Sequence, residues 1–352
     1  MQSKNLSYQN KNILLLNFLN LFGLRFFYPN TIFMKKFQTE FNTLSYIIKN
    51  SQRILLFAHS GPDGDTAGSV LAFKEYLEII GKNADISCLD PLPLFLETLT
   101  QQKFVHPDHL NLQSYDAAIG CDSVERGFQK ILNSLPEKTA TIIIDHHPDI
   151  TTKADVIILD AKKSSTCEII YEYLINQNAK ISKSIATYLM IGILSDTGNF
   201  QHANTSSRVM EISSDLMKKG ASVSKIIEAT FANKKLSTLK LWGRAFEKAK
   251  INPTNGLITT VLTKEDIEQC NASTEDIGQV ASILNTVPGT KFSLVLSERE
   301  DGAIKGSLRS EEYKGVDVSE IAHLFGGGGH KLASGFEIKG KIIETPTGWE
   351  IV

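Results

Sequence analysis

At 352 residues, the chain is long enough for two domains of ordinary size, each with its own core. Its 42% hydrophobic and 22% charged residues are typical of a soluble globular protein. The net charge of −2 argues against a protein that coats long nucleic acid by bulk electrostatics, but it allows a small anionic ligand held by a few placed groups. The four widely spaced cysteines form no C-x-x-C pair, which predicts reduced thiols in a cytoplasm.

The first 33 residues form a separate stretch. Residues 13–28 are apolar-rich, but two asparagines and an arginine interrupt them, which makes a poor membrane span. Lysines precede the run as in a signal peptide, yet no A-x-A-like cleavage site follows. Met34 opens a segment that is typical of an amphipathic helix leading into a strand. We interpret residues 1–33 as a non-native or disordered extension and Met34 as the true start.

Short apolar runs then alternate with helical patterns over residues 52–160. The strand candidates are ILLFA (54–58), DAAIG (116–120), TIIID (141–145) and DVIIL (155–159). Residues 66–80 place apolar side chains on one helical face, and Gly81 follows as the predicted C-cap. Continuously apolar strands separated by helices predict a parallel, doubly wound sheet.

Residues 182–250 are predicted to be mostly helical, and a second unit begins near Asn255. Its predicted strands are LITTVL (257–262), KFSLVL (291–296) and GAIKGSL (302–308), and the helix VSEIAHLF then enters GGGG. The predicted fold class is α/β, with a doubly wound parallel sheet domain and a smaller α/β C-terminal domain joined by a helical linker. The predicted domains are a catalytic domain (34–205), a helical linker (206–254) and a substrate-binding domain (255–352).

Acidic or imidazole side chains follow each apolar element of the first unit. They are His59, Asp63 and Asp65 after the first strand, Asp122 after the second, Asp145, His146 and His147 after the third, and Asp196 after the apolar helix LMIGIL. Ligands of open parallel sheets bind outside the carboxyl ends of the strands, so these side chains are predicted to meet in one crevice. Taken singly, an aspartate could serve only a turn or a helix end. The shared topological position favours a site.

Four aspartates in one pocket would need cations. Two like charges 4 Å apart repel by about 4 kcal/mol at an effective dielectric near 20. Two divalent ions would balance Asp63, Asp65, Asp122 and Asp196, with His59 and His146 completing the coordination as neutral imidazoles. Oxygen and nitrogen ligands favour Mn²⁺, with Mg²⁺, Co²⁺ or Zn²⁺ as competitors. Paired ions about 3.5–4 Å apart are a common device for phosphoryl hydrolysis.

A second signal is LFGGGGHKLASGF (324–336). Glycines after a helix would leave backbone N–H groups free to bind an anion. His330 could add a donor, and Arg309 could fork onto a phosphate. A glycine run alone is weak evidence, because a flexible loop or a tight packing corner would use the same residues.

Together, the motifs HSGPDGDTAGS, CDS, DHHPD, SDTGNF and GGGGHKLASG resemble the DHH phosphoesterase superfamily over nearly all of the chain from about residue 40. The glycine–histidine motif resembles the DHH-associated C-terminal domain of the bifunctional nanoRNA exonuclease (oligoribonuclease)/pAp phosphatase type. Family-II pyrophosphatases carry a different second domain, and RecJ-type exonucleases bear extra modules. One departure is HSGPD, where members often have an arginine before the proline, and it could alter contacts to the substrate.

The resemblance implies a role for each residue. One metal would be bound by His59, Asp63 and Asp122, and the other by Asp65, Asp122, His146 and Asp196, with Asp122 bridging. His147 would contact the scissile phosphate, and Asp145 would support the histidines from behind. The substrate's terminal phosphate would be held by Arg309, Ser310, Gly327, Gly328, Gly329 and His330.

The sequence thus predicts a cytoplasmic, Mn²⁺-dependent hydrolase that degrades short single-stranded oligonucleotides to mononucleotides and converts 3′-phosphoadenosine 5′-phosphate to AMP. Long duplex DNA and membranes are not predicted partners, and a homodimer is compatible with the sequence. The alternatives are a cyclic or linear dinucleotide phosphodiesterase (c-di-AMP or pApA type), a pyrophosphatase-like enzyme, and a nucleotide-sensing module with a structural metal site. Structural sites are usually closed, whereas this ligand set leaves room for water.

Overall fold

The computed structural model describes residues 36–352, except for 94–95, 123, 149, 233 and 346–347. The predictions for residues 1–33 therefore lie outside the described residues. Within the described ranges, no helix is both long and apolar enough to cross a membrane. The four cysteines are buried free thiols.

Five parallel strands form the first sheet, in the order β2-β1-β3-β4-β5. Their bounds are β1 Arg53–Phe57, β2 Asn83–Ser87, β3 Ala117–Cys121, β4 Ala140–Asp145 and β5 Val156–Leu159. Four of the strands confirm the predicted runs to within one residue at either end. Strand β2 was not predicted, because its sequence NADIS is short and mostly polar.

Helices cover both faces of this sheet. Their bounds are α1 Gln38–Asn50, α2 Gly64–Ile79, α3 Phe128–Leu132, α4 Thr166–Asn176, α5 Lys183–Asp196, α6 Ser207–Lys218 and α7 Val223–Ile227, which continues into a π-helical turn, Glu228–Ala232. Alternate residues of β1 enter different cores: Ile54 and Leu56 pack with α1, α2, α4 and α5, while Leu55 and Phe57 pack with α3. The sheet is therefore doubly wound, as predicted.

Helices α2 and α5 approach each other through glycines. A Cβ atom at Gly68 would lie 2.4 Å from the carbonyl oxygen of Tyr188. A Cβ atom at Gly192 would lie 2.3 Å from the Cys167 Sγ and 2.5 Å from an Asp65 carboxylate oxygen. Because no larger residue fits, these glycines let the two helices carry Asp65 and Asp196 to the same place.

The second unit is built on a six-stranded mixed sheet in the order β10-β11-β9-β8-β7-β6, in which only β7 and β8 are parallel among the described strands. The strands are β6 Lys250–Asn252, β7 Leu257–Leu262, β8 Phe292–Glu298, β9 Ala303–Ser310, β10 Gly328–His330 and β11 Ala333–Lys339, followed by the hairpin β12 Ile342–Thr345 and β13 Gly348–Ile351. The helices are α8 Leu236–Glu247, α9 Lys264–Gln269, α10 Val280–Leu284 and α11 Val318–Leu324.

The predicted fold class is confirmed: a parallel-sheet α/β unit precedes a separate mixed-sheet unit. The three strands predicted for the second unit match β7, β8 and β9. Helix α8, predicted as part of the linker, packs Leu241 and Ala245 into the core beneath β7 and β8. The exact domain boundaries stay a prediction.

Candidate active site

The carboxyl edge of the first sheet gathers the predicted acidic and imidazole residues. Among the described residues of the first domain alone, three groups have ligand atoms that all lie within 4.8 Å of one another: His59 with Asp63 and Asp122, Asp65 with Asp122 and His146, and Asp122 with Asp145 and His147. The prediction that these side chains meet in one crevice agrees with this geometry. Asp122 is common to all three groups.

Helix N-termini hold two of the aspartates. Asp63 caps α2, and its Oδ1 accepts hydrogen bonds from the backbone N–H groups of Asp65 and Thr66, each at 3.0 Å. Asp65 is fully buried and accepts from the N–H groups of Thr166 (2.7 Å) and Cys167 (3.0 Å), in the first turn of α4. Both carboxylates are thus fixed by the backbone and by the helix dipoles.

Asp122 lies at the centre of the site. It follows β3 with φ at 62°, a left-handed conformation that turns the chain at the strand end. Its Oδ1 lies 3.7 Å from His146 Nε2 and 3.4 Å from His147 Nδ1, and its Oδ2 lies 3.8 Å from His59 Nε2. The Thr66 hydroxyl donates to Oδ2. One carboxylate therefore faces histidines on both sides, as a bridging ligand would.

His59 and His146 are oriented in the same way. The Nδ1 of His59 lies 2.7 Å from the Ser60 carbonyl oxygen, and that of His146 lies 3.3 Å from the Lys163 carbonyl oxygen. A ring whose Nδ1–H donates to a carbonyl presents the lone pair of Nε2 to the site. The His146 Nε2 is buried 3.1 Å from an Asp196 carboxylate oxygen, yet it makes no well-directed hydrogen bond to any described residue.

Asp145 supports His147 rather than joining the open part of the pocket. Its Oδ1 accepts from the His147 backbone N–H (2.9 Å) and contacts Nδ1 of the same ring (2.8 Å), while its Oδ2 accepts from the N–H of Val124 (3.1 Å). Burial alone would raise the pKa of Asp145, but its hydrogen bonds with His147 lower it. A fixed carboxylate behind an imidazole sets the tautomer and orientation of the ring.

The pocket aspartates resist ionisation. Burial and the charge of Asp196 raise the pKa of Asp65 to about 7, and burial and the charge of Asp65 raise that of Asp122 to about 8. Burial raises the pKa of Asp196 to about 6, against the opposing effect of its contact with His146. These shifts are what like charges without counterions produce, and a bound cation would reverse them.

The pKa values of His59 and His146 are shifted in opposite directions by the pocket. Burial, followed by the positive charge of Arg126, lowers the pKa of His59. Burial would also lower the pKa of His146, but the contact with Asp196 and the charges of Asp65 and Asp122 raise it well above its ordinary value. In the absence of a cation, the imidazolium form of His146 partly neutralises the carboxylates.

The second sheet closes over this edge. The ring of His330 stacks on that of His147 at 4.1 Å between centroids and lies 5.1 Å from the His146 ring. Along β10, β11 and β9, His330 pairs with Ala333, which pairs with Arg309, so His330 and Arg309 share one face of the sheet. Burial and the nearby charges of His147 and His146 lower the pKa of His330 to about 3, so this ring is neutral.

The glycine motif acts through packing. The N–H groups of Gly326 and Gly327 donate to the carbonyl oxygens of His323 and Ala322 at the end of α11, so the prediction that they are free for an anion is wrong. A Cβ atom at Gly327 would lie 2.1 Å from the Gly335 carbonyl oxygen, and one at Gly329 would lie 2.6 Å from that of Ala333. The tight packing corner that the sequence left open as an alternative accounts for these two glycines.

Gly328 lies on the sheet face of His330 and Arg309, whereas Ser310 lies on the opposite face. Gly328 of β10 pairs with Gly335 of β11, and Gly328 lies on the same sheet face as His330. Ser310 is buried on the face of β9 opposite Arg309, and its hydroxyl donates to the Lys291 carbonyl oxygen at 3.1 Å. The structure does not bring Ser310 to the cleft, because alternate residues of a strand face opposite sides.

Several residues at this site were not predicted. The backbone N–H groups of Thr166 and Cys167 hold Asp65, and the Ser165–Glu168 pair at the start of α4 was an available sign of a helix N-terminus there. The Nη1 atom of Arg126 lies 3.3 Å from the Nε2 atom of His59. No sequence signal predicts this contact, because it depends on how the loop after β3 folds back.

Comparison with known families decides what this architecture is. The DHH family N-terminal domain model matches residues 53–193, and the DHHA1 domain model matches residues 255–345. The chain contains a DHH family N-terminal domain and a DHHA1 domain. Both domains therefore agree with the resemblance that the motifs suggested.

Relatives of this DHH–DHHA1 chain align over most of its length. It is 29% identical to the bifunctional oligoribonuclease and PAP phosphatase NrnA of Thermus thermophilus, over 82% of this chain and 84% of that protein. It is 27% identical to the protein of the same name from Bacillus subtilis, over 81% and 89%. The crystal structure of an exopolyphosphatase-related protein from Bacteroides fragilis matches with a TM-score of 0.79 at 25% identity, over 86% of this chain and 92% of that one.

DHH phosphoesterases depend on metal ions, and the residues of this DHH domain fit such ions. The orphaned Nε2 of His146 faces carboxylates whose raised pKa values report a shortage of positive charge. Oxygen and imidazole donors without a thiolate suit hard or borderline divalent cations.

Proposed function

We propose that this protein hydrolyses short oligonucleotides to mononucleotides and removes the 3′-phosphate of 3′-phosphoadenosine 5′-phosphate, using two divalent ions, of which Mn²⁺ fits the donor set well. The observation that carries the proposal is Asp122, whose two carboxylate oxygens face His59 on one side and His146 and His147 on the other. The names and coverage of the NrnA relatives support the same activities.

The ligands divide around Asp122. His59 and Asp63 would hold one ion with it, and Asp65, His146 and Asp196 the other. Such a pair of ions supplies positive charge for the developing phosphoryl oxyanion and lowers the pKa of water. The helix caps of Asp63 and Asp65 and the carbonyl contacts of the histidines keep these donors in place before substrate arrives.

His147 is proposed to contact the scissile phosphate. Its pKa would be lowered by burial, but the hydrogen bond with Asp145 and the charge of Asp122 raise it, which favours a ring that donates to a phosphate oxygen. His330 stacks on it from the second domain, and Arg309 shares the face of His330. We assign these two residues to the terminal phosphate of the substrate.

The closeness of the two domains supports a preference for short substrates. His330 reaches to within 4.1 Å of the His147 ring, so the cleft is closed on that side of the scissile position. A substrate end would be gripped there, and a long strand or a duplex would have no exit past it. We also propose that the protein acts in the cytoplasm, because its proposed substrates, short RNA fragments and the bisphosphate, arise there.

The test is a product assay on the full chain with Mn²⁺. It offers a 5′-phosphorylated dinucleotide, a much longer oligonucleotide, 3′-phosphoadenosine 5′-phosphate, cyclic di-AMP and pyrophosphate in parallel. Asp196→Ala removes a proposed ligand, and Asp108→Ala is the matched control because that aspartate is exposed and belongs to none of the described groups that could hold a metal ion.

Loss of the dinucleotide and the bisphosphate, abolished in Asp196→Ala and retained in Asp108→Ala, is the expected result. Turnover of cyclic di-AMP or pyrophosphate alone would keep the site and overturn the substrate assignment. Binding of nucleotide without turnover of any substrate would favour the sensor alternative.

A further inference from the structure

The two sides of Asp122 lead to two different ends of the cleft. On the Oδ1 side lie His146 and His147, and His330 stacks on the latter. On the Oδ2 side lies His59, at 3.8 Å. The terminal-phosphate residues assigned above occupy only the first of these ends.

Arg126 lies at the second end. Its Nη1 is 3.3 Å from His59 Nε2, and its Nη2 donates to the Ser60 carbonyl oxygen at 2.9 Å. The guanidinium passes beside Gly61, where a Cβ atom would lie 3.7 Å from Nη2. The Arg126 side chain is exposed beside His59 and forms no ion pair with any described carboxylate.

Two cations of the second domain face the same end. Arg299 continues from β8, and its N–H donates to the Ala303 carbonyl oxygen, while Lys305 of β9 pairs with Ser297 of β8. This register puts Arg299 and Lys305 on the sheet face that also carries Arg309. Both side chains are half-buried, and neither forms an ion pair within the part of the chain that the structure describes.

These cations act on one another across the domain boundary. Burial and the charges of Arg299, Arg126 and Arg309 lower the pKa of Lys305, and the charge of Glu337, its cross-strand neighbour, opposes them. The Nε of Arg299 is buried and has no hydrogen-bond partner among the described residues. Positive charges that converge and outnumber the nearby carboxylates, with a donor left unsatisfied, indicate a place for an anion.

We propose that Arg126, Arg299 and Lys305 form a second phosphate subsite, which binds the phosphodiester beyond the scissile one in a 5′-phosphorylated trinucleotide. The proposal rests on the proposed function and deepens it. A dinucleotide and 3′-phosphoadenosine 5′-phosphate each have two phosphates, which the metal centre and the Arg309–His330 end already take. A trinucleotide has a third, and this subsite would select for it.

Kinetics of wild type, Lys305→Gln and Arg299→Gln with Mn²⁺ test the proposal on all three substrates. Arg126 is left intact because it contacts His59. For each variant we expect kcat/KM for the trinucleotide to fall about tenfold, mainly through KM, as loss of one charged hydrogen bond predicts. For the dinucleotide and for 3′-phosphoadenosine 5′-phosphate, the fall in kcat/KM should be smaller than this estimate by at least a factor of about five. Lys291→Gln, an exposed lysine just before β8, is the matched control and should behave as wild type.

A second readout is salt dependence. Each phosphate contact to a single strand contributes about 0.7 to the slope of log affinity against log salt, so Lys305→Gln should flatten the trinucleotide slope by about that amount. Equal losses for all three substrates, or none, would overturn the subsite. If wild type turns over none of them, the proposed function fails. Calorimetric binding of the trinucleotide to wild type and Lys305→Gln then decides the subsite on its own, with equal affinities refuting it.

Discussion

The two surfaces that meet at the cleft carry opposite charge. The carboxyl edge of the first sheet concentrates aspartates whose pKa values are raised by burial and by one another. The facing side of the second sheet presents Arg309 and Lys305, whose pKa values are lowered by burial. The first surface carries an excess of acidic groups, and the second carries an excess of basic groups. A metal–phosphate ligand satisfies both at once, and neither domain alone offers that combination.

The two surfaces are also built by different rules. Donors of the first domain follow strand ends and helix caps, so the topology of the parallel sheet fixes them. Those of the second domain depend on register between antiparallel strands and on closure of one domain over the other. We therefore expect substitutions on the acidic side to lower the turnover of every substrate, and substitutions on the basic side to weaken substrate binding.

The largest effect is expected from Asp122→Asn, which would remove the negative charge of the residue that both proposed metal sites share. Asparagine tolerates the left-handed backbone at this position, so the fold should survive. Loss of a bridging charge between two ions removes several kcal/mol of transition-state stabilisation, so kcat/KM should fall by about 10³-fold on every substrate.

The control for this variant is thermal unfolding without metal. Because Asp122→Asn removes one of several crowded buried carboxylates, the metal-free variant should be at least as stable as wild type. Lower stability together with lower activity would show that Asp122 has a structural role instead.

On the basic side, Arg309→Gln should lower kcat/KM by roughly 10²-fold, chiefly by raising KM, because a charged contact to phosphate is lost. The measurement is steady-state kinetics on the dinucleotide, with Arg244→Gln on α8 as the matched control. An effect confined to kcat would contradict the assignment of substrate binding to the basic surface.

The acidic side was largely predictable from sequence, and the reason is physical. Residues that follow buried parallel strands must meet at one edge, so His59, Asp122 and His146 could be brought together without coordinates. Their need for cations followed from Coulomb repulsion alone. Sequence could not show that Asp65 is held by Thr166 and Cys167, because that contact joins segments about a hundred residues apart.

The basic side was predictable only in part. The motifs singled out Arg309 and His330, which share one sheet face, and their role at a phosphate stays a prediction. The roles given to the glycines and Ser310 depended on hydrogen bonds and strand alternation that no motif encodes. Arg299 and Lys305 resemble ordinary surface charges in the sequence. Only the register of β8 and β9 turns them toward the cleft.

A smaller effect should come from behind the acidic pocket. Asp145→Asn would leave His147 without its carboxylate partner and would favour the wrong ring tautomer, so kcat should fall by about 30-fold. Titration of Mn²⁺ into the variant should show an affinity close to that of wild type. A large loss of metal affinity would instead show that Asp145 contributes to metal binding, the role that we assign to Asp65.

The smallest expected effect concerns stability, and it tests whether the acidic side lacks cations. The pKa values of Asp65 and Asp122 are raised in the folded state to about 7 and about 8, so their contribution to the free energy of unfolding is greatest when both are protonated and is lost as pH rises toward those values. Metal binding displaces the same protons.

The stabilisation by Mn²⁺, measured by thermal unfolding with and without the ion, should therefore be larger at about pH 8 than at about pH 5.5. At roughly thirty times the dissociation constant, the gain at the higher pH should be about 2 kcal/mol. An equal gain at both pH values would mean that the cation binds elsewhere.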